Sequence, residues 1–183
     1  GGQSASSAPA ETTPAPTESS AAEERHYPVT VTTYNQNGEE AEQTFTKCPE
    51  RVVSISQANT EMLVSLGLSD LIVATAHRTS TPLPETAAPP WRGIPFIAEK
   101  GYPAKEVVLD QEPDMIVGWG SLFADDALGA TSDWNDRGIN TYLMKNTVSG
   151  LGKRNFEFLI QDIENFGKIF DIEEKTDALV ADI

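Results

Sequence analysis

Residues 49–68, PERVVSISQANTEMLVSLGL, predict a strand, a tight turn and a helix in immediate succession. A short apolar run at 52–55 is typical of a buried strand, and a polar turn follows at 56–59. Residues 62–66 then place apolar side chains on one helical face, and Gly67 predicts the end of that helix. Open parallel sheets bind ligands beyond the carboxyl ends of their strands, so this turn is a candidate ligand site.

The remainder of the chain alternates strands with helices. Two short runs, 27–33 and 43–46, flank a turn at 35–38 and predict a β-hairpin ahead of the first parallel strand. The fold class is therefore α/β, with a Rossmann-like parallel sheet flanked by helices and preceded by a β-hairpin. Further strands are predicted over 71–76, 115–117 and 140–144, and further helices over 103–109, 122–137, 154–170 and 173–183.

Composition excludes several classes of function. The net charge of −15 argues against binding to nucleic acid or to an anionic membrane face. A single cysteine, Cys48, allows no intramolecular disulfide. The sequence contains no G-x-G-x-x-G, no complete phosphate loop, no G-x-S-x-G and no H-E-x-x-H, and its two histidines are far apart. We therefore expect no catalytic residues, no bound metal and no cofactor.

Three stretches, taken together, resemble one protein family. They are SQANTE at 56–61, EVVLDQEPDMIVGW at 106–119 and FGKIFDIEEKTDALV at 166–180. Their order and spacing are similar to those of the substrate-binding proteins of bacterial ABC importers for metal chelates. Members of that family carry ferric siderophores, cobalamin or haem, and the resemblance extends over residues 29–183.

The resemblance implies a domain organisation and a location. Residues 1–25 contain no aliphatic core residue or aromatic, and we expect them to form a disordered Ser/Ala/Thr/Pro tether. Residues 26–172 would be the N-terminal lobe of a two-lobed binding protein, and 173–183 the start of the connecting helix, with the second lobe absent. The family resemblance further implies a monomer, held outside the cytoplasm by an N-terminal lipid anchor.

The predicted ligand site lies on the loops that follow the parallel strands. Trp119 lies between glycines and could stack on a chelate. Arg78 and Lys145 could pair with the oxygens of an anionic chelate. The other candidate ligand-binding residues are Ser56, Gln57, Asn59 and Ser121, although Asn59 could equally cap its helix.

A second site is implied on the helix that precedes Pro113 and Asp114. The resemblance places Glu106 where members of the family dock on their permease. An exposed carboxylate there would align the binding protein on the permease more than it would strengthen the binding between them. A solvated surface glutamate is the alternative.

The predicted function is capture of a metal chelate, a ferric siderophore first, and its delivery to an ABC import permease without bond chemistry. Cobalamin and haem are alternatives within the same family. Two other classes stay open: a Rossmann-like enzyme domain acting on a metabolite, and a cell-surface interaction domain without a small ligand. The missing cofactor motifs and the tether count against the enzyme.

Overall fold

The computed structural model of the chain describes residues 25–76, 93–98, 102–145 and 156–183. The described strands are β1 (Val29–Tyr34), β2 (Glu40–Phe45), β3 (Val52–Ile55), β4 (Ile72–Ala76), β5 (Phe96–Ala98), β6 (Met115–Gly118) and β7 (Asn140–Leu143). The α-helices are α1 (Gln57–Ser65), α2 (Lys105–Asp110), α3 (Thr131–Asp136), α4 (Phe156–Phe170) and α5 (Glu173–Ala181). Short 3-10 turns lie at Ser69–Leu71 and Gly120–Phe123.

Five of these strands form one parallel sheet in the order β5-β4-β3-β6-β7. The chain proceeds outward from β3 through β4 to β5, and then returns to place β6 on the other side of β3. That reversal makes the gap between β3 and β6 the topological switch point of the sheet. The predicted α/β class and parallel sheet are confirmed.

Two apolar layers cover the two faces of the sheet. On one face, Val52 and Val117 pack with Leu63 of α1 and Phe166 of α4. On the other face, the strand residues Val53 and Ile116 pack with Val108 of α2 and Trp134 of α3. The segment between β6 and α3 contributes Leu122, Phe123 and Leu128 to the same layer. Side chains of a strand alternate between faces, so the continuous apolar runs of β3 and β6 follow from burial on both sides.

The hairpin of β1 and β2 covers the β7 edge of the sheet. The Thr33 hydroxyl accepts from the backbone N–H of Leu143 at 3.0 Å and donates to its carbonyl at 3.1 Å. The buried Gln43 side chain accepts from the N–H of Thr141 at 3.1 Å. Side chains of the hairpin therefore bond backbone groups of β7 that would otherwise face outward.

The motif around Pro113 and Asp114 fixes the other end of the switch point. The Asp114 carboxylate accepts from the backbone N–H groups of Glu50 at 2.8 Å and Arg51 at 3.0 Å, just ahead of β3. The Arg51 guanidinium in turn donates to the carbonyl of Gln111 at 2.7 Å. These bonds join the amino ends of β3 and β6. Asp114, within the stretch 106–119 that carries the family resemblance, therefore has a structural role.

Helices α4 and α5 approach each other closely at Gly167. A Cβ built on Gly167 would overlap the hydroxyl of Thr176, so only glycine permits this contact. The amino end of the described chain packs at the same place, because the Tyr27 hydroxyl donates to the carbonyl of Ile169 at 2.6 Å. No helix within the described residues is long and apolar enough to span a bilayer.

Two predictions about individual elements are wrong. The helix predicted over 122–137 is a 3-10 turn, an irregular segment and then α3 alone, because Ala124 is extended and Gly129 has a φ of 81°. The parallel sheet also has a strand that was not predicted, β5, so it contains five strands where four were expected. Residues 77–91 and 146–152, which connect predicted strands to the helices that follow them, lie outside the described residues.

Candidate functional site

The candidate site is the rim formed where β3 and β6 end at the switch point. Ser54 is paired with Val117 in the last pair of the parallel register. Ser56 and Trp119 each lie two residues beyond that pair, at the same edge of two neighbouring strands. Gly118 is paired with Leu143, which brings Lys145 to the same edge one strand further on.

Ser56 is held in an unusual backbone conformation. Its φ of 99° and ψ of 150° lie in a region that is open to glycine and costs other residues about 1–3 kcal/mol. Its hydroxyl accepts from the N–H of Asn59 at 3.3 Å, which makes Ser56 the N-cap of α1. The strain is therefore located at the rim, at the start of the helix that faces the switch point.

The residues that follow Ser56 have different surroundings. Asn59 is only 3% exposed, and its amide donates to the carbonyl of Ile55 at 2.9 Å. This bond ties the first turn of α1 to β3. Asn59 does not cap the helix, because Ser56 is the N-cap. Gln57 is half-buried and donates to Glu61 at 2.9 Å, so its side chain lies along the helix at the rim.

Trp119, Ser121 and Tyr102 form an aromatic and hydroxyl cluster on the rim. The indole N–H of Trp119 donates to the Ser121 hydroxyl oxygen at 2.7 Å. The Tyr102 hydroxyl lies 2.9 Å from the same oxygen, and the two ring centroids are 5.6 Å apart with planes inclined by 61°. We call these three residues the rim cluster. Tyr102 was not predicted from the sequence.

Gly118 and the residues after Trp119 anchor this cluster. A Cβ on Gly118 would meet the Leu122 side chain at 2.5 Å, so this glycine makes room for core packing. Leu122 and Phe123 are fully buried in the turn that follows. The loop is therefore fixed on its inner side. Ser121 is exposed, whereas Trp119 is half-buried and packs partly against the core layer on this face of the sheet.

Lys145 is fixed at both its backbone and its side chain. Its backbone N–H donates to the buried Asp162 carboxylate at 2.9 Å. Its ammonium contacts the Gln161 side chain and lies 5.7 Å from the centre of the Tyr34 ring. The ammonium thus points to the side of the rim, into a polar groove between β1 and α4 that has a volume of about 240 Å³.

Asp162 also accepts a hydrogen bond from Tyr142 at 2.6 Å. Burial raises the pKa of Tyr142 well above its usual value, and the charge of Asp162 raises it further. The phenol consequently stays protonated and donates to the carboxylate. This buried pair sets the position at which the chain leaves β7.

Solved structures resemble this chain over most of its length. A periplasmic binding protein from Veillonella parvula is 28% identical, with a TM-score of 0.75 over 85% of this chain. An ABC-type Fe3+-hydroxamate transport protein from Saccharomonospora viridis is 24% identical, with a TM-score of 0.68 over 86%. This fold is that of a periplasmic binding protein lobe.

The resemblance seen in the sequence is thereby confirmed. A periplasmic vitamin B12 binding protein from Vibrio cholerae shares the fold at 19% identity and a TM-score of 0.53, over 73% of this chain. The chain spans about half the length of these structures: 49%, 53% and 46% respectively. No family model and no curated protein matches the sequence.

The other predicted residues lie apart from the rim cluster or outside the described chain. Glu106 is exposed in the first turn of α2, the helix that leads from the rim side of β5 towards β6. Arg78 lies outside the described residues. Among the residues that the structure describes, no group of His, Cys, Asp and Glu could hold a metal ion.

The rim cluster shows what sequence reasoning missed. Tyr102 follows a strand that was not predicted, so nothing in the sequence placed it beside Trp119. The one available signal was an aromatic residue between Gly101 and Pro103, in a segment predicted to connect elements.

Proposed function

We propose that this chain is the N-terminal lobe of an extracytoplasmic binding protein that captures a metal chelate, a ferric siderophore first. The protein delivers the chelate to an ABC import permease and performs no bond chemistry. A second lobe closes over the same rim, and the protein works as a monomer anchored to the membrane through a lipid ahead of residues 1–25.

The rim cluster is the observation that carries this proposal. Tyr102 is 43% exposed and Trp119 is half-buried, and their rings contact each other near the switch point, where open α/β sheets bind their ligands. Aromatic rings bury much apolar area on contact, and their polar atoms supply hydrogen bonds to a ligand's edge. A lobe that only served as a scaffold would not require such a cluster at this edge.

The charges of the rim support an anionic ligand. The whole chain carries a net charge of −15, so its average surface repels anions. The amino end of α1, whose dipole is positive, faces the switch point after Ser56. Arg78, which the sequence predicts on a rim loop, would add a cation that attracts an anionic chelate, whereas the Lys145 ammonium lies beside the rim in the groove between β1 and α4.

We assign the ligand contacts to Ser56, Gln57, Trp119 and Ser121, with Arg78 as a charged contact. Lys145 would serve as a second charged contact only if its ammonium left Gln161 and turned to the rim. Asn59 supports the floor of the site through its bond to Ile55.

The binding test uses absorption spectra of the full-length protein after desalting. The protein is incubated in turn with ferrioxamine B, cyanocobalamin and haemin. We expect the ferric chelate to be retained, and its binding to quench tryptophan emission. Retention of none of the three would refute capture of a chelate, whereas retention of haemin or cyanocobalamin alone would reassign the ligand.

A matched pair of variants tests the site. Trp119→Ala should weaken binding by about 1–3 kcal/mol and should remove most of the quench. Trp91→Phe is the control, since it removes another indole but none from the rim cluster. Normal binding by Trp119→Ala together with a much lower melting temperature would make Trp119 a structural residue.

Residues 1–183 alone should bind more weakly than micromolar, because one lobe supplies half of the contacts. Micromolar or tighter binding by this chain would show that one lobe suffices.

Permease docking is tested on α2. Glu106→Arg should lower uptake into cells and leave the dissociation constant for the chelate unchanged. Asp110→Arg is the matched control, because it makes the same charge change at the other end of the same exposed helix. Equal loss of uptake in both variants, or none in either, would remove the specific role of Glu106.

A further inference from the structure

The polar groove between β1 and α4 lies beside the rim and takes no part in the rim cluster. Residues 30–32 of β1 line one side of it, α4 lines the other, and its volume is about 240 Å³. We call this space the β1 groove. Pockets for small apolar ligands are lined mostly by hydrophobic side chains. Here Val31 is the one apolar residue of the lining, so the groove suits a polar occupant.

The outer edge of β1 directs backbone groups into this groove. In the turn of the hairpin, the N–H of Asn35 donates to the carbonyl of Glu39 at 2.9 Å, so these two residues form a hydrogen-bonded pair. Opposed residues of an antiparallel ladder alternate between bonded and non-bonded pairs. The odd-numbered residues of β1 are therefore bonded to β2, whereas Thr30 and Thr32 direct their N–H and C=O groups away from it.

Two contacts agree with this direction. The Asn165 amide of α4 donates to the carbonyl of Thr32 at 3.3 Å. The hydroxyls of Thr30 and Thr44 lie 2.9 Å apart, as expected for a non-bonded pair, whose side chains are closer together. The other outward groups of Thr30 and Thr32 have no bonding partner among the described residues. Such unpaired groups of a strand edge can pair with a further strand.

The two lysines of the β1 groove have no carboxylate partner among the described residues. The Lys145 ammonium contacts the neutral Gln161 side chain, and Lys168 is exposed on α4. Glu164 also lines the groove and forms no ion pair with a described residue. Two lysines and one glutamate give the groove a charge of +1, in a chain whose net charge is −15. The lysines are therefore available to the carboxylates of a partner.

We infer that the β1 groove binds an extended acidic segment of another protein, which adds to the outer edge of β1 as a further strand. Donors and acceptors alternate along this edge as they do along a peptide backbone, so bonds to Thr30 and Thr32 supply affinity. Lys145 and Lys168 select a segment that carries carboxylates. Peptide binding here goes beyond chelate capture and does not depend on it.

The test measures fluorescence anisotropy of labelled peptides on the full-length protein. The probe alternates valine with glutamate over about nine residues, which is long enough to span an edge strand. We expect saturable binding with a dissociation constant below about 1 mM. A matched peptide with lysine in place of glutamate should bind about tenfold more weakly, because it meets like charges. The glutamate peptide with N-methylated peptide bonds keeps its carboxylates but loses its backbone donors, and it should not bind.

Variants of exposed residues locate the binding in the β1 groove. Lys168→Glu should weaken binding of the glutamate peptide about fivefold. Glu164→Gln should strengthen it about twofold, because it removes a like charge. Lys175→Glu is the matched control, since it makes the same charge change on α5 outside the groove. Equal losses in Lys168→Glu and Lys175→Glu, at equal melting temperatures, would show that total charge governs binding and would overturn the inference.

Other outcomes would also overturn it. Equal binding of the lysine peptide or of the N-methylated peptide would exclude charge selection or strand addition. If deletion of residues 1–24 tightened peptide binding about tenfold, the groove would belong to the chain's own amino-terminal segment. A dimer in sedimentation that the peptide dissociates would make a second copy the occupant. If the protein retained a chelate but bound no glutamate peptide, the groove would lack this role and chelate capture would stand.

Discussion

Replacing Asp162 with alanine tests how strongly the buried pair stabilises the lobe. Asp162 is 1% exposed and accepts from the Tyr142 hydroxyl at 2.6 Å and the Lys145 N–H at 2.9 Å. The substitution removes the acceptor of both donors at once. The buried Tyr142 donor left without its acceptor costs about 1–3 kcal/mol, and the half-buried Lys145 N–H costs less, so the two together cost at most about 6 kcal/mol.

Removing a buried charge returns part of this cost, because the carboxylate no longer has to be desolvated. We therefore expect Asp162→Ala to lower the free energy of unfolding by about 2–4 kcal/mol. Asp162→Asn is the matched variant: it keeps one acceptor oxygen at the same volume, and it should cost about half as much.

The measurement is urea denaturation followed by tryptophan emission, since the fully buried Trp134 reports loss of the core. A double-mutant cycle with Tyr142→Phe isolates the bond between the two side chains, for which we expect a coupling of about 1–2 kcal/mol. A loss below about 1 kcal/mol in Asp162→Ala would refute the reasoning, because both donors would then have found other acceptors.

Three further predictions concern stability. The unfolded tyrosine titrates near pH 10, so the raised pKa of Tyr142 stabilises the folded protein below about pH 10, and this contribution is lost as the pH rises further. The difference in free energy of unfolding between wild type and Tyr142→Phe should therefore shrink above pH 10, by up to about 1.4 kcal/mol per pH unit. A constant difference in the denaturation curves would contradict this prediction. Ser56→Gly should raise the free energy of unfolding by up to about 1 kcal/mol, because the relief of backbone strain exceeds the loss of the cap, whereas Ser56→Ala should lower it. Equal free energies of unfolding for the two variants would show that the backbone is not strained. Gly167→Ala should lower the free energy of unfolding by about 1–3 kcal/mol, because its Cβ overlaps Thr176. Adding Thr176→Ala should restore part of that loss, as measured by calorimetry. Additive losses in the double variant would show that the overlap with Thr176 is not the cause.

The sequence predicts those elements whose burial pattern is strong. Strands β3, β4 and β6 lie in continuous apolar runs, and α4 repeats its apolar residues at helical spacing. Strand β5 has only three residues, all half-buried, and it lies beyond a proline-rich segment, so it gives no comparable signal. The wrong helix over 122–137 has apolar residues at helical spacing, but Gly129 interrupts it and tertiary packing buries them without a helix.

The rim depends on information that periodicity does not contain. Predicting that Ser56 and Trp119 end their strands required only the local pattern. That these two strand ends are neighbours follows from the strand order, in which β6 returns to the side of β3. The place of Tyr102 beside Trp119 follows from a loop path, and the direction of the Lys145 ammonium from packing against α4. No local rule supplies either.

The hairpin has a consequence for how the protein is made. Its bonds to β7 link residues far apart in the chain: Thr33 is 110 positions from Leu143, and Gln43 is 98 from Thr141. Synthesis proceeds from the amino end, so the cover exists before the edge strand leaves the ribosome. An uncovered strand edge can pair with other chains and aggregate. The nascent β7 edge thus meets a partner of its own chain first, and deleting the hairpin should reduce the soluble yield.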